Sequence, residues 1–486
     1  MESQRTDWHA RTRRLRWTGE SLASAGYRDG ETRMTSTFAS RSVAAMRRVR
    51  DVLRDGRGVS GLVFAGSMSA LLGFAALAID GGAWLLARRN AVSAADSAAM
   101  AAAVAISYGR GANGATVAAL DTARRNGFAE REGTEITITT PLTSGPYAGD
   151  PTVVEVMIRQ LQPSGLSRIL FDQDVTVTAR AVAALMLTTD ACVLALTGPL
   201  IMTGKSTTAG PACLLASNST AADAIQVGNT ATVNAYSLYS AGGCVGCTNK
   251  FVTLERPYST QAPPIENVFQ YLDSKVLPTF NSSNCMTPPT SGMILPYEDN
   301  GGKAYCSDLA VSGNVTLNMR PGTYYFHHAS FSVQSGVVRC VDSGGRQCAD
   351  GQGVTIIFTG TDVTRIGGPK INATADIRLQ APRNPRSDMD YRGVLFFRDP
   401  RAHNNNSGSP AVQMNGGALS VLEGGMYFPN AYVRYNGGDE VSPSQCTVLI
   451  GGTIDMSGSG VTNVNIAKCP ELGTPIPRRR VPRLIG

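Results

Sequence analysis

The chain has 486 residues, of which 17% are charged and 43% hydrophobic, with a formal net charge of +7. That length leaves room for two or three domains rather than one core. The positive excess sits largely in an Arg-rich arm over residues 1–57 and in the triplet Arg478-Arg479-Arg480. Neither is a nucleic-acid module: the arm carries Trp8, Trp17 and Tyr27 with no folded pattern around them. Basic residues beside a membrane commonly meet anionic lipid heads instead, so no nucleic-acid partner is expected.

In chain order, the arm 1–57 reads as a disordered cytoplasmic segment, within which Met34 and Met46 are alternative starts. From Val59 to Ile79 follow 21 residues without a charged side chain, a length that matches a bilayer's hydrocarbon core. Arg41, Arg47, Arg48, Arg50, Arg54 and Arg57 precede it, while only Arg88 and Arg89 follow closely. That asymmetry predicts a single span with a cytoplasmic N-terminus and an exported C-terminus. A cleaved signal peptide is the rival, but the run is long and starts late for one. Small residues along it, Gly61, Gly66, Ala70 and Gly73 among them, suit close helix packing as well as lipid.

The helix is expected to continue beyond the span, with Gly81 and Gly82 as weak points, because Ala83 to Tyr108 is dominated by alanine. Arg89 and Asp96, seven residues apart, fall on one face. From Glu135 the pattern changes to β-branched alternation at 136–139, 153–158 and 175–178. A long helix followed by a few strands is a pilin-like arrangement, ending near Thr189.

Residues 190–470 show short β runs broken by Gly and Asn, with a helix expected only around Ile265–Val276. Frequent, irregular coils favour a parallel β-helix or similar solenoid; a β-sandwich is the runner-up. All ten cysteines lie beyond position 190, as in a disulfide framework formed in an oxidising compartment. Their order suggests the local pairs Cys192–Cys213, Cys244–Cys247, Cys285–Cys306, Cys340–Cys348 and Cys446–Cys469, among many possible connectivities. Cys244-Val-Gly-Cys247 sits in Gly-rich sequence rather than at a helix start, which favours a structural bridge over a redox motif. His327, His328 and His403 show no zinc-ligand spacing.

Three local motifs invite chemical readings. Gly198 to Ser206 resembles a phosphate-binding loop, with five residues between its glycines where four are required. Asp455-Met-Ser-Gly-Ser459 has the form of a metal-binding turn, with too little chain after it to supply the other ligands. Asp388, Asp390, Arg398, Asp399, Arg401 and His403 form a polar cluster of the kind polysaccharide-processing enzymes use. A charged loop around the strand 394–397 is the simpler reading, so no catalytic residue, metal or cofactor is expected, and the protein is read as a non-enzyme.

The segment from Gly58 to about Ala103 resembles the N-terminal domain of TadG-like proteins of the Flp (tight adherence, Tad) pilus system. Asp80, Arg88, Arg89, Asp96, Ala98 and Ala99 occupy that family's charged and alanine positions, with Val92-Ser93 where the family often has Gln. Runs such as Arg320–Phe326, Gly353–Gly360, Tyr391–Asp399 and Gly424–Gly437 are similar to the family's C-terminal parts. The resemblance implies a membrane-anchored accessory of pilus assembly acting by contacts with pilus-system membrane proteins. Val63 stands where a processed prepilin would have Glu, so cleavage into a pilin subunit is not expected.

The expected organisation is α+β. It comprises the arm 1–57, a transmembrane and Ala-rich helix at 58–110 and a helix end with strands at 111–189. A mainly β exported domain at 190–470 and a Pro/Arg-rich tail at 471–486 complete it. The exported part is assigned to the periplasm or cell surface. A tethered module for surface polysaccharide and a surface adhesin stand as alternatives, with a surface glycan as the possible ligand.

Overall fold

The structure, a computed structural model, describes residues 59–169, 174–349, 351–402, 408–415, 420–436 and 444–486. The arm 1–57 and His403 lie outside the described residues. The chain forms two compact units. One holds the first part of the long helix, to Gly81, with residues 165–172; the other holds 82–164 and 173–486.

Helix α1 runs unbroken over Val59–Ser107. Gly81 and Gly82 do not interrupt it, since the alanines around them outweigh a cost of about 1 kcal/mol per glycine. In the first unit, Leu62, Val63, Phe64, Leu71, Leu72 and Phe74 are all exposed. Asp80 is buried there: its Oδ2 accepts the backbone N–H of Ser167 at 2.6 Å, at the short 3-10 turn Leu166–Ile169.

In the second unit, the later part of α1 lies on a four-stranded antiparallel sheet. Ala91, Ala94, Ala95, Ala98, Ala99, Ala102 and Ala103 recur at three- and four-residue steps and are fully buried. They meet Ile136 of β1 (Thr134–Thr139), Val154, Val156 and Ile158 of β2 (Val153–Gln162), and Val177, Ala179, Ala181 and Ala183 of β3 (Val175–Ala195). A second helix, α2 (Gly111–Arg125), adds Ala115, Ala119 and Ala123 to the same core. The sheet order is β1–β2–β3 followed by the C-terminal strand Arg478–Leu484. Residues 471–486, read from sequence as a tail, therefore supply the fourth strand of this head.

Strand β3 leaves the head and enters a parallel solenoid, so the β-sandwich alternative does not describe this chain. Residues 191–195 of β3 pair in parallel with Leu214–Ser217 and with Leu449–Gly451. The chain thus enters the solenoid in its middle. It winds outward through Thr207–Ser217, Thr232–Ser240 and Val252–Leu254. It then runs back along the outside and winds inward from Cys285 until Thr447–Asp455 docks on β3. Each coil feeds three parallel ladders; one carries the inward aromatics Tyr305, Phe326, Phe358, Phe396 and Phe428. Their ring centroids are 5.7–6.3 Å apart, as a coil spacing of about 4.8 Å demands.

Outward neighbours on this ladder run Tyr325, Ile357, Phe397, Tyr427, Ile450, Leu194, Ala216, Tyr239. Large apolar side chains cannot face water over eight coils, and the return segment covers them. Ile265, Phe269, Leu272 and Phe280 of this strap share a core with that row. Gly425 makes room for it: a Cβ there would lie 2.3 Å from the Phe269 ring. The helix expected near Ile265–Val276 is only a 3-10 turn, Gln270–Ser274.

Candidate functional site

Among the described residues, one helix, α1, is long and apolar enough to cross a membrane. On its first part Gly61, Gly66 and Ala70 are exposed and Gly73 half-buried. A Cβ at Gly61 or Gly66 would meet nothing within 4 Å, so these notches are free for another backbone to approach. Further along, Arg88, Arg89 and Asp96 share one depression of 470 Å³ with Leu85, Val92, Ser93 and Ser97. This face points away from the alanine stripe that holds the sheet.

Asp80 has a different role from its motif neighbours. It is spent within the chain on the Ser167 amide, and Gly165 is shaped to let it in: a Cβ there would sit 2.8 Å from Asp80 Oδ1.

The cysteines form five disulfides: Cys192–Cys213, Cys244–Cys247, Cys285–Cys306, Cys340–Cys348 and Cys446–Cys469. Cys244 and Cys247 close a turn through Gly246, whose φ of +80° needs glycine. The sulfurs of Cys285 and Cys306 and a ring nitrogen of His327 lie within 4.8 Å of one another. Metal ligation needs thiolates, and these sulfurs are bonded to each other.

The polar cluster of the sequence divides into two functions in the structure. Asp388 and Asp390 both hold Lys275 of the strap at 2.5 Å. Arg398 is buried and donates to the carbonyls of Ile366, Gly367 and Ala402 at 2.9–3.0 Å. Burial pulls its guanidinium down to about 10, against the Asp399 charge, which pushes the other way. Asp399 accepts from Arg401 and from the Thr359 hydroxyl at 3.0 Å. Burial opposes its charge, but these donors prevail and hold its carboxyl below the usual range.

The other motifs are architectural. Leu200–Met202, inside the loop-like Gly198–Ser206 run, is a strand paired on both sides rather than a phosphate cradle before a helix. Asp455 accepts from the Tyr432 hydroxyl at 2.6 Å and from the Ser457 amide at 2.9 Å, while the Ser457 hydroxyl meets that of Thr203. The basic triplet is also absorbed. Arg478 pairs with Asp190 at 2.7 Å, Arg480 with Glu266, and Arg479 lies 5.0 Å from the Tyr239 ring centroid. Lys275 and the Arg triplet were missed as anchoring residues because their partners are far away in sequence; Lys275 and Asp390 stand 115 residues apart.

The geometry defines a helix-anchored head with a solenoid inserted between its third and fourth strands. Residues 58–105, nearly the whole of α1, match the family described as "Putative Flp pilus-assembly TadE/G-like". Over these residues the chain carries a Tad-type domain. Comparison with curated proteins found no match. Among solved structures, the competence-associated pilin ComZ from Thermus thermophilus aligns over 74% of this chain and 89% of that chain. Its identity is 12% and its TM-score 0.21, too low to carry an argument.

Proposed function

We propose that this protein is a membrane-anchored, non-enzymatic accessory of Flp pilus assembly that works through lateral contacts of α1 with other pilus-system helices. The observation that carries this reading is that the Tad domain coincides with the helix on which Gly66 and Ala70, four residues apart, leave one small-residue face open. Without a hydrophobic drive between helices in lipid, close approach at glycine and alanine is what gives them affinity. On this reading the arm lies in the cytoplasm, and the head and the disulfide-bonded solenoid lie outside the inner membrane, in the periplasm or at the cell surface.

The test is replacement of the notches. Gly66→Leu together with Ala70→Leu keeps the span apolar but fills that face. The expected result is loss of pili at unchanged protein level. Normal piliation by this double variant would contradict the proposal.

A further inference from the structure

Between the strap and the solenoid lies a cleft of 330 Å³ that the pilus reading does not use. Its floor comes from three successive coils of one ladder. His327 and Thr359 are register partners, and Asp399, one coil on, accepts the Thr359 hydroxyl at 3.0 Å. Its roof is the strap segment 273–279, which Lys275 ties down through Asp388 and Asp390.

The polar groups are held before any ligand arrives. Asp399, 2% exposed, is fixed by Arg401 and Thr359. Arg401 keeps more than half of its side chain exposed while anchored at one end. Asp273 enters from the strap, one oxygen occupied by the Tyr427 hydroxyl at 2.7 Å. Burial raises its carboxyl, with the Tyr427 bond acting in the other direction. His327 is buried, and its Nε2 has no hydrogen-bond partner among the described residues. Burial first, then His328 and Arg365, lowers its imidazole, so it is neutral at pH 7. Around these stand apolar groups, Pro278, Pro400 and Val276, the last 92% exposed.

We propose that this cleft binds a neutral saccharide. A ring of hydroxyls needs fixed donors and acceptors of both kinds, and its C–H face needs an apolar wall; the cleft supplies all three. The lining balances two carboxylates, Asp273 and Asp399, against two cations, Lys275 and Arg401, so neither an anion nor a cation is favoured. Polar groups already locked by Thr359 and Tyr427 add little ordering cost on binding. The volume lies at the small end of ligand pockets, which fits one or two sugar rings rather than a long polymer.

The full-length chain in detergent micelles would be applied to a printed array of neutral saccharides from bacterial envelopes and from animal cell surfaces. Hits would then be titrated by calorimetry. Ser274→Trp blocks the mouth from an exposed position, and His327→Phe removes the unpartnered nitrogen while retaining a ring. We expect the wild type to bind at least one saccharide, and each variant to bind it at least 10-fold more weakly with unchanged circular dichroism. Whichever half of the array supplies that saccharide identifies its source. No saccharide retained by the wild type, or wild-type affinity in Ser274→Trp, would overturn the proposal.

Discussion

At Asp80 one carboxylate fastens the turn Leu166–Ile169 to α1, and Gly165 gives it access. Removing the acceptor frees the Ser167 amide, so Asp80→Ala should loosen the segment that contains Arg168. Trypsin should then cut there several-fold faster, as read by mass spectrometry of the fragments; an unchanged cutting rate would reject this role. Arg398 offers a second test at this scale. It satisfies three buried carbonyls, and Arg398→Met strands them all. The loss should be roughly 3 kcal/mol or more of solenoid stability, measured by chemical denaturation. The sequence showed Asp80 as a marked charge after an apolar run, but not its partner, which comes from a loop 87 residues on. It also grouped Arg398 with Asp388 by proximity. Alternation along a strand and the turns after it send such neighbours to different tasks.

The strap is an element whose hold rests on apolar burial and on one ion-pair group. Burial works against the Asp388 carboxylate, but Lys275 and the Asp390 amide outweigh it and set the group below its ordinary value. A depressed carboxyl contributes stability above the unfolded value near pH 4 and loses it as pH falls through the folded value. Lys275→Met should therefore destabilise the chain at pH 7 and less at pH 3. The size is below about 1 kcal/mol, since the carboxylates are 38% and 55% exposed. Equal destabilisation at both pH values, by urea titration, would count against the tie. Inside the solenoid, Phe358 stacks between Phe326 and Phe396, so Phe358→Ala should cost about 3–5 kcal/mol in the same assay. Helix α1 was legible because alanine and apolar density are local properties. The strap was not, because its conformation is irregular and its apolar residues match a row built from eight different coils.

For the whole molecule, the order of assembly along the solenoid differs from the order of the chain. The first coil, at 191–195, ends beside the last, at 449–451, and the strand 478–484 closes the head beside β3. Both ends of the solenoid are thereby joined, and Cys446–Cys469 fixes the closing coil to the segment that leads back to the head. The Gly/Asn-broken β runs announced a solenoid because coil corners need those residues. The mid-solenoid entry left no local mark, since parallel pairing between 193 and 449 depends on contacts rather than spacing. Deleting residues 478–486 should uncover the edge of β3 and cost the head its fourth strand. Faster proteolysis within 175–187, detected by mass spectrometry, is the expected result; unaltered resistance would show the strand to be dispensable.

The central claim is that α1 is the working surface, and photo-crosslinking in intact, piliated cells tests it most directly. A photoreactive amino acid at Ala70, exposed on the small-residue face, would be compared with one at Val276, exposed on the strap. The account predicts that the Ala70 probe captures pilus-system membrane proteins and that the Val276 probe does not. Capture of those proteins through Val276 alone, with Ala70 meeting only lipid, would contradict it.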